Sequence, residues 1–156
     1  MVELLRVDDR LLHGQVAYAW SRNLPINLIV IANDAVSQDK AAKATFSLAK
    51  PAGMSLVIST VEKTVAFLSS KKAQNYRALV LVNSIVDAAT IARRCNIRSI
   101  NVGGLRESAD SKRYTTAVCL TPDDIQTIRE LASEGYEVAA QQVPADTKTN
   151  LASLIK

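Results

Sequence analysis

The chain has 156 residues, 48% hydrophobic and 22% charged, the balance of an ordinary soluble domain and not of a disordered segment. Its net charge of +4 and pI near 9.2 come from scattered bases, without a long Lys/Arg run or interleaved aromatics, which argues against a nucleic-acid surface. No apolar run reaches transmembrane length, and Met1-Val2-Glu3 lacks the basic and apolar regions of a signal peptide, so a cytoplasmic protein is expected.

The elements alternate. Residues 3–9 form a short β-type run, and 14–22 follow with Val16, Ala17, Ala19 and Trp20 at helical spacing. Residues 27–32 read as a buried strand ending at Asn33-Asp34, a good cap for a helix over 35–49 that Pro51-Ala52-Gly53 stops. A third strand spans 54–59, with only a partial helix-start signal in Ser59, Thr60 and Glu62 for a helix over 61–72. The fourth strand, 76–82, runs into Asn83-Ser84, which can cap a helix over 85–95. Residues 99–104 make a fifth strand with a glycine exit, 105–113 a polar loop and 114–120 a sixth strand. Thr121-Pro122-Asp123-Asp124 is a strong helix start, with Thr at the cap and Pro in the first turn; that helix reaches about Ser133 and stops at Gly135. A seventh strand, 136–143, and a short terminal helix from Asn150 complete the chain.

Strands and helices in alternation imply one α/β domain over 1–156. The expected fold is an open, mostly parallel sheet of about seven strands with helices on both faces, its last strand free to run antiparallel. The core is built from aliphatic residues, since the only aromatics are four Tyr, two Phe and one Trp. Cys95 and Cys119 make no CxxC pair and have no histidine nearby, so they read as buried free thiols. No metal or cofactor is expected.

The polar stretch Asp8-Asp9-Arg10-Leu11-Leu12-His13-Gly14-Gln15 falls on the first strand-to-helix turn, where open α/β sheets bind ligands. It holds the only histidine. If the helix starts near His13, the free N–H groups around Gly14, Gln15 and Val16 and the positive end of the helix dipole make an anion site. Arg10 can bring its guanidinium fork to the same anion. Asp8 or Asp9 can orient the ring or hold Arg10. On residues alone a second reading stands beside this one: a lone histidine at a helix start is more often a cap, and a strand-end Asp pair is more often a turn former. A receiver-type signalling domain phosphorylated on aspartate, or a non-catalytic nucleic-acid-binding α/β domain, also stays open at this level.

The run from Arg6 through Val16, followed by Trp20, resembles the N-terminal signature of the enzyme IIB components in the mannose/fructose/sorbose family of the bacterial phosphoenolpyruvate-dependent sugar phosphotransferase system. Ala32-Asn33-Asp34, Ile100-Asn101-Val102-Gly103-Gly104 and Gln142-Val143-Pro144 also look like that family's pattern, and the resemblance covers essentially the whole chain. It implies a protein-phosphohistidine-sugar phosphotransferase. His13 would accept a phosphoryl group from a phosphohistidine on the IIA component and pass it to a hexose-type sugar entering through the membrane IIC and IID components. Arg10 would then stabilise charge, Asp9 would orient the histidine, and Arg10, Gly14, Gln15 and Val16 would bind the phosphoryl group. The implied location is the cytoplasm, against the membrane transporter. A homodimer is left open, and no nucleic-acid partner is expected.

Overall fold

The computed structural model describes residues 1–156, with the side chain of Gln15 outside the described residues. The elements run β1 (Val2–Asp8), α1 (Gly14–Asn23), β2 (Leu28–Ala32), α2 (Asp34–Ser37), α3 (Lys40–Ala49), β3 (Ser55–Ser59) and α4 (Val61–Leu68), then a 3-10 turn over Lys71–Asn75. They continue with β4 (Ala78–Val82), α5 (Ile85–Cys95), β5 (Ser99–Gly104), β6 (Lys112–Arg113), β7 (Cys119–Leu120), α6 (Pro122–Ser133), β8 (Glu137–Ala140), β9 (Thr149–Asn150) and α7 (Leu151–Leu154). Seven strands make one sheet in the order β3-β2-β4-β1-β5-β8-β9. All its pairings are parallel except the last, in which β9 runs antiparallel to β8.

Strand alternation decides which side chains reach which face. Leu5, Val7, Val30, Val80, Ile100 and Val102 pack in one apolar cluster with Val65 of α4, Ile91 of α5 and Ile128 of α6. Leu12, Ala17, Ile29, Ile31, Leu79 and Leu81 form a second cluster, with Phe46 of α3 packed against it. Central strands β2 and β4 are buried at every position, as a sheet covered on both faces requires. Arg6 and Asp8 alternate with Leu5 and Val7, so they point to the α1 side.

Three elements depart most from the sequence reading. The helix expected over 35–49 is two helices, because Asp39 offers a competing cap: its carboxylate accepts the Ala42 N–H at 3.0 Å and restarts the helix, a local side-chain bond of the kind that interrupts helices. The strand expected over 114–120 shrinks to β7, which pairs with β6 outside the main sheet. There the Thr115 hydroxyl accepts the Ala117 and Val118 N–H groups and turns the chain. The seventh strand of the sheet is instead β9, read from sequence as the start of the terminal helix. Elsewhere the capping chemistry matches expectation, with Ser84 capping α5 and a Thr121–Asp124 capping box opening α6.

Candidate functional site

β1 lies between β4 and β5. The chain leaving β1 returns through α1 to β2, whereas the chain leaving β5 moves the other way to β8, so the crevice between the carboxyl ends of β1 and β5 is the topological switch point. The turn between β1 and α1 sits there. Leu11 and Leu12 are buried anchors that pin the turn to the core under α1. Leu11 adopts φ of 57°, and its N–H donates to the Asp8 carbonyl at 2.9 Å. A left-handed leucine costs roughly 1–2 kcal/mol, strain of the sort that collects at functional turns.

This tight turn makes His13 the N-cap of α1, in extended conformation, with its carbonyl accepting the Ala17 N–H at 3.1 Å. Its side chain does not cap the helix. The first-turn amides of Gly14, Gln15 and Val16 therefore keep the free N–H groups of an uncapped helix start. Gly14 is exposed, and a Cβ there would meet nothing within 4 Å.

The His13 ring is engaged on one side only. Nε2 stands 2.8 Å from Asp8 Oδ2, and among the described residues Nδ1 has no hydrogen-bond partner. Asp8 is 1% exposed and receives donors on both oxygens: the Arg10 N–H at 3.0 Å on Oδ1, and an Arg6 terminal N–H at 3.1 Å on Oδ2. Arginine carries no acceptor, so Oδ2 acts as an acceptor and the ring proton is assigned to Nε2 on hydrogen-bond grounds.

Asp9, expected to orient the histidine, lies elsewhere. Its carboxylate accepts the backbone N–H and Nε–H of Arg106 at 2.7 and 3.1 Å, tying the turn to the loop after β5, and the ring contact belongs to Asp8. Arg10 is exposed beside the turn, and among the described residues its guanidinium has no hydrogen bond or ion pair. The structure thus brings together His13, the backbone of Arg10 and the start of α1, selects Asp8 and not Asp9 for the ring contact, sends Asp9 to Arg106, and adds Arg6. Sequence reasoning passed over Arg6. Its signal was the i, i+2 spacing to Asp8 on a strand, which places both on one face.

Arg6 is 1% exposed. Burial pulls its pKa below the usual guanidinium range, and the Asp8 carboxylate opposes that. A hollow of about 790 Å³ runs from the amino-terminal ends of β1, β5 and β8 past Trp20 and Gln141. His13 does not line it. The converging polar groups, and not cavity size, mark the site.

An uncapped helix start at the switch point of a wound sheet, with a carboxylate-held histidine and an exposed arginine, defines an α/β protein suited to handling a phosphoryl group at its first turn. The family model described as PTS system sorbose subfamily IIB component matches residues 2–156, and the chain belongs to that family. It is 33% identical to a probable phosphotransferase enzyme IIB component of Streptococcus pyogenes, with 99% of each chain covered. It is 28% identical to the mannose-specific EIIAB component of Escherichia coli K12, matching 99% of this chain and 48% of that longer protein. The solved IIBSor domain of the Klebsiella pneumoniae sorbose permease superposes with a TM-score of 0.94 at 33% identity, covering 99% of this chain and 96% of that one.

Membership makes the chain a phosphotransferase-system component acting in phosphoryl transfer during sugar uptake, and it replaces the receiver-type and nucleic-acid-binding alternatives. No helix among the described residues is long and apolar enough to cross a membrane.

Proposed function

We propose that His13 is the phosphoryl acceptor of this IIB component and that Nδ1 is the nitrogen that reacts. The observation that carries this reading is the engagement of Nε2 by Asp8 at 2.8 Å, which leaves Nδ1 as the ring nitrogen without a partner among the described residues. Nδ1 attacks phosphorus in the phosphohistidine of a IIA partner, the donor N–P bond breaks, and its electron pair returns to the donor imidazole. The His13 ring becomes cationic, with its Nε2 proton directed at Asp8, whose carboxylate stabilises that charge. Arg10 and the first-turn amides of α1 stabilise the phosphoryl oxygens.

In the second transfer a sugar hydroxyl oxygen attacks phosphorus, the Nδ1–P bond breaks with its electron pair returning to the ring, and the hydroxyl proton passes to solvent. The whole chain acts as one IIB unit at the cytoplasmic face, served by a IIA donor and by membrane IIC and IID partners that hold the sugar.

Incubation with phosphoenolpyruvate, enzyme I, HPr and a IIA component tests the assignment. The wild-type chain is expected to take up an acid-labile, alkali-stable phosphoryl group, and His13→Ala to take up none. Labelling of His13→Ala at the wild-type level would overturn it.

A further inference from the structure

Arg6 is a buried cation with no access to an incoming phosphoryl group. One terminal nitrogen donates to Asn101 Oδ1 at 2.8 Å and to the Gln141 carbonyl at 3.1 Å, and the other donates to Asp8 at 3.1 Å. The Trp20 ring lies 5.7 Å from the guanidinium carbon, and Trp20 Nε1 donates to the Gln142 carbonyl. Nε is buried without a partner, so the arrangement is not optimised for stability. Room for it exists only because residue 103 is glycine: a Cβ there would fall 2.0 Å from the guanidinium carbon. A buried ion pair is often replaceable by apolar residues at little or no loss of stability, so its presence beneath the histidine calls for another reason.

The oxygen of Asp8 that Arg6 holds, Oδ2, is the same oxygen that faces His13 Nε2. We infer that Arg6 is a positioning residue: through Asp8 it fixes His13 with its proton on Nε2, and so reserves Nδ1 for the phosphoryl group. The inference rests on the reading of His13 as the acceptor. An ionised carboxylate can only accept from the ring, and the Arg6 N–H on Oδ2 with the Arg10 N–H on Oδ1 holds it in the orientation that sets Oδ2 against Nε2. The guanidinium is fixed in turn by β5 through Asn101 and by the end of β8 through Gln141, so three strands set the orientation of one imidazole. Asn101, Gly103 and the stretch beginning at Gln142, whose place in the signature the transfer chemistry leaves unexplained, become parts of this brace.

The chain contains a single histidine, so ¹⁵N-histidine labelling reports its two ring nitrogens without ambiguity. Spectra recorded without any phosphoryl donor are expected to show the Nε2–H tautomer dominating in the wild type. In Arg6→Met the Asp8 carboxylate loses the donor that holds Oδ2 against the ring and is free to turn away from Nε2. The tautomer ratio is therefore expected to move at least ~10-fold toward Nδ1–H, the scale of one lost charge-assisted hydrogen bond, and Arg6→Lys should recover part of the bias.

After phosphorylation, wild-type label should sit on Nδ1 and Arg6→Met label on both nitrogens, with kcat lowered and KM for the donor unchanged. A folded Arg6→Met with the wild-type tautomer ratio overturns the inference. If Arg6→Met does not fold, Asn101→Ala keeps Arg6 and removes one anchor; a smaller shift in the same direction supports the inference, and an unchanged ratio overturns it. Because the tautomer is read without a donor, its outcome is separate from that of His13→Ala.

Discussion

Asp8 Oδ2 stands 2.8 Å from His13 Nε2, although Asp9 is the nearer of the two carboxylates in sequence. Strand alternation sends Asp8 under α1, while Asp9 turns toward Arg106. Asp8→Asn is expected to slow phosphoryl acceptance by at least ~10²-fold, since an amide can also present a donor to the ring and favour the wrong tautomer. Asp8→Ala should in addition cost about 3–5 kcal/mol in chemical denaturation, because it strands Arg6 as a buried charge. Asp9→Asn breaks an exposed pair, and its stability should change by less than about 1 kcal/mol. Parallel phosphorylation assays on the asparagine variants compare the two acids directly; equal defects would mean that Asp9 orients the ring as well.

The two glycines nearest the site differ in what surrounds them. At Gly103 a Cβ would meet the Arg6 guanidinium at 2.0 Å, whereas at Gly14 it would meet nothing within 4 Å. Gly103→Ala is expected to destabilise the fold by about 1–3 kcal/mol, the cost of overpacking, and to displace Arg6. Gly14→Ala should leave stability unchanged or raise it by up to about 1 kcal/mol, given alanine's helix propensity. Urea denaturation of both variants measures the contrast.

Asp87, in the first turn of α5, has its pKa pushed up by burial first and by the charge of Asp34 second, against a hydrogen bond with Ser84. The folded chain then binds this proton more tightly than the unfolded chain does. Stability from the protonated group is fully present below the ordinary carboxylate pKa and is lost as pH rises through the raised value. Asp87→Asn removes the penalty. Near neutral pH it should be more resistant to urea than the wild type, and the gap should narrow as pH falls toward the ordinary carboxylate range of about 4.

Much of this was legible because local chemistry and periodicity agreed. The uniform apolar runs of β2 and β4 and the capping signals at Ser84 and Thr121 need no tertiary information. Residues 35–49 failed because two good caps, Asn33 and Asp39, compete within one apolar pattern, and the periodicity of Ala35, Val36 and the later alanines does not say which wins. β9 failed because two residues are too short to show alternation, and Asn150 both ends that strand and caps α7. At the site, His13 and Arg10 stand out by type. The choice of Asp8 over Asp9 depends on which face a strand-end residue takes, and the link from Arg6 to Asn101 and Gln141 depends on parallel neighbours distant in sequence, so neither could be read from spacing in the turn.

Arg10 offers the most direct test of how the phosphoryl group is held. Its N–H supports Asp8, but any residue other than proline supplies that bond, so the side chain can be changed without disturbing the brace beneath His13. The guanidinium is exposed, and its loss should leave the unfolding midpoint near that of the wild type, as surface substitutions usually do. Its contribution should appear in the transfer rate. Removing a charge-stabilising donor from such a site commonly costs about 10²–10³-fold, and Arg10→Ala is expected to fall in that range under rapid-quench phosphorylation by the IIA donor. Arg10→Lys keeps the charge but loses the planar fork that binds two phosphoryl oxygens, so its rate should lie between those of wild type and Arg10→Ala. A wild-type rate in Arg10→Ala would assign the phosphoryl oxygens to the α1 amides alone.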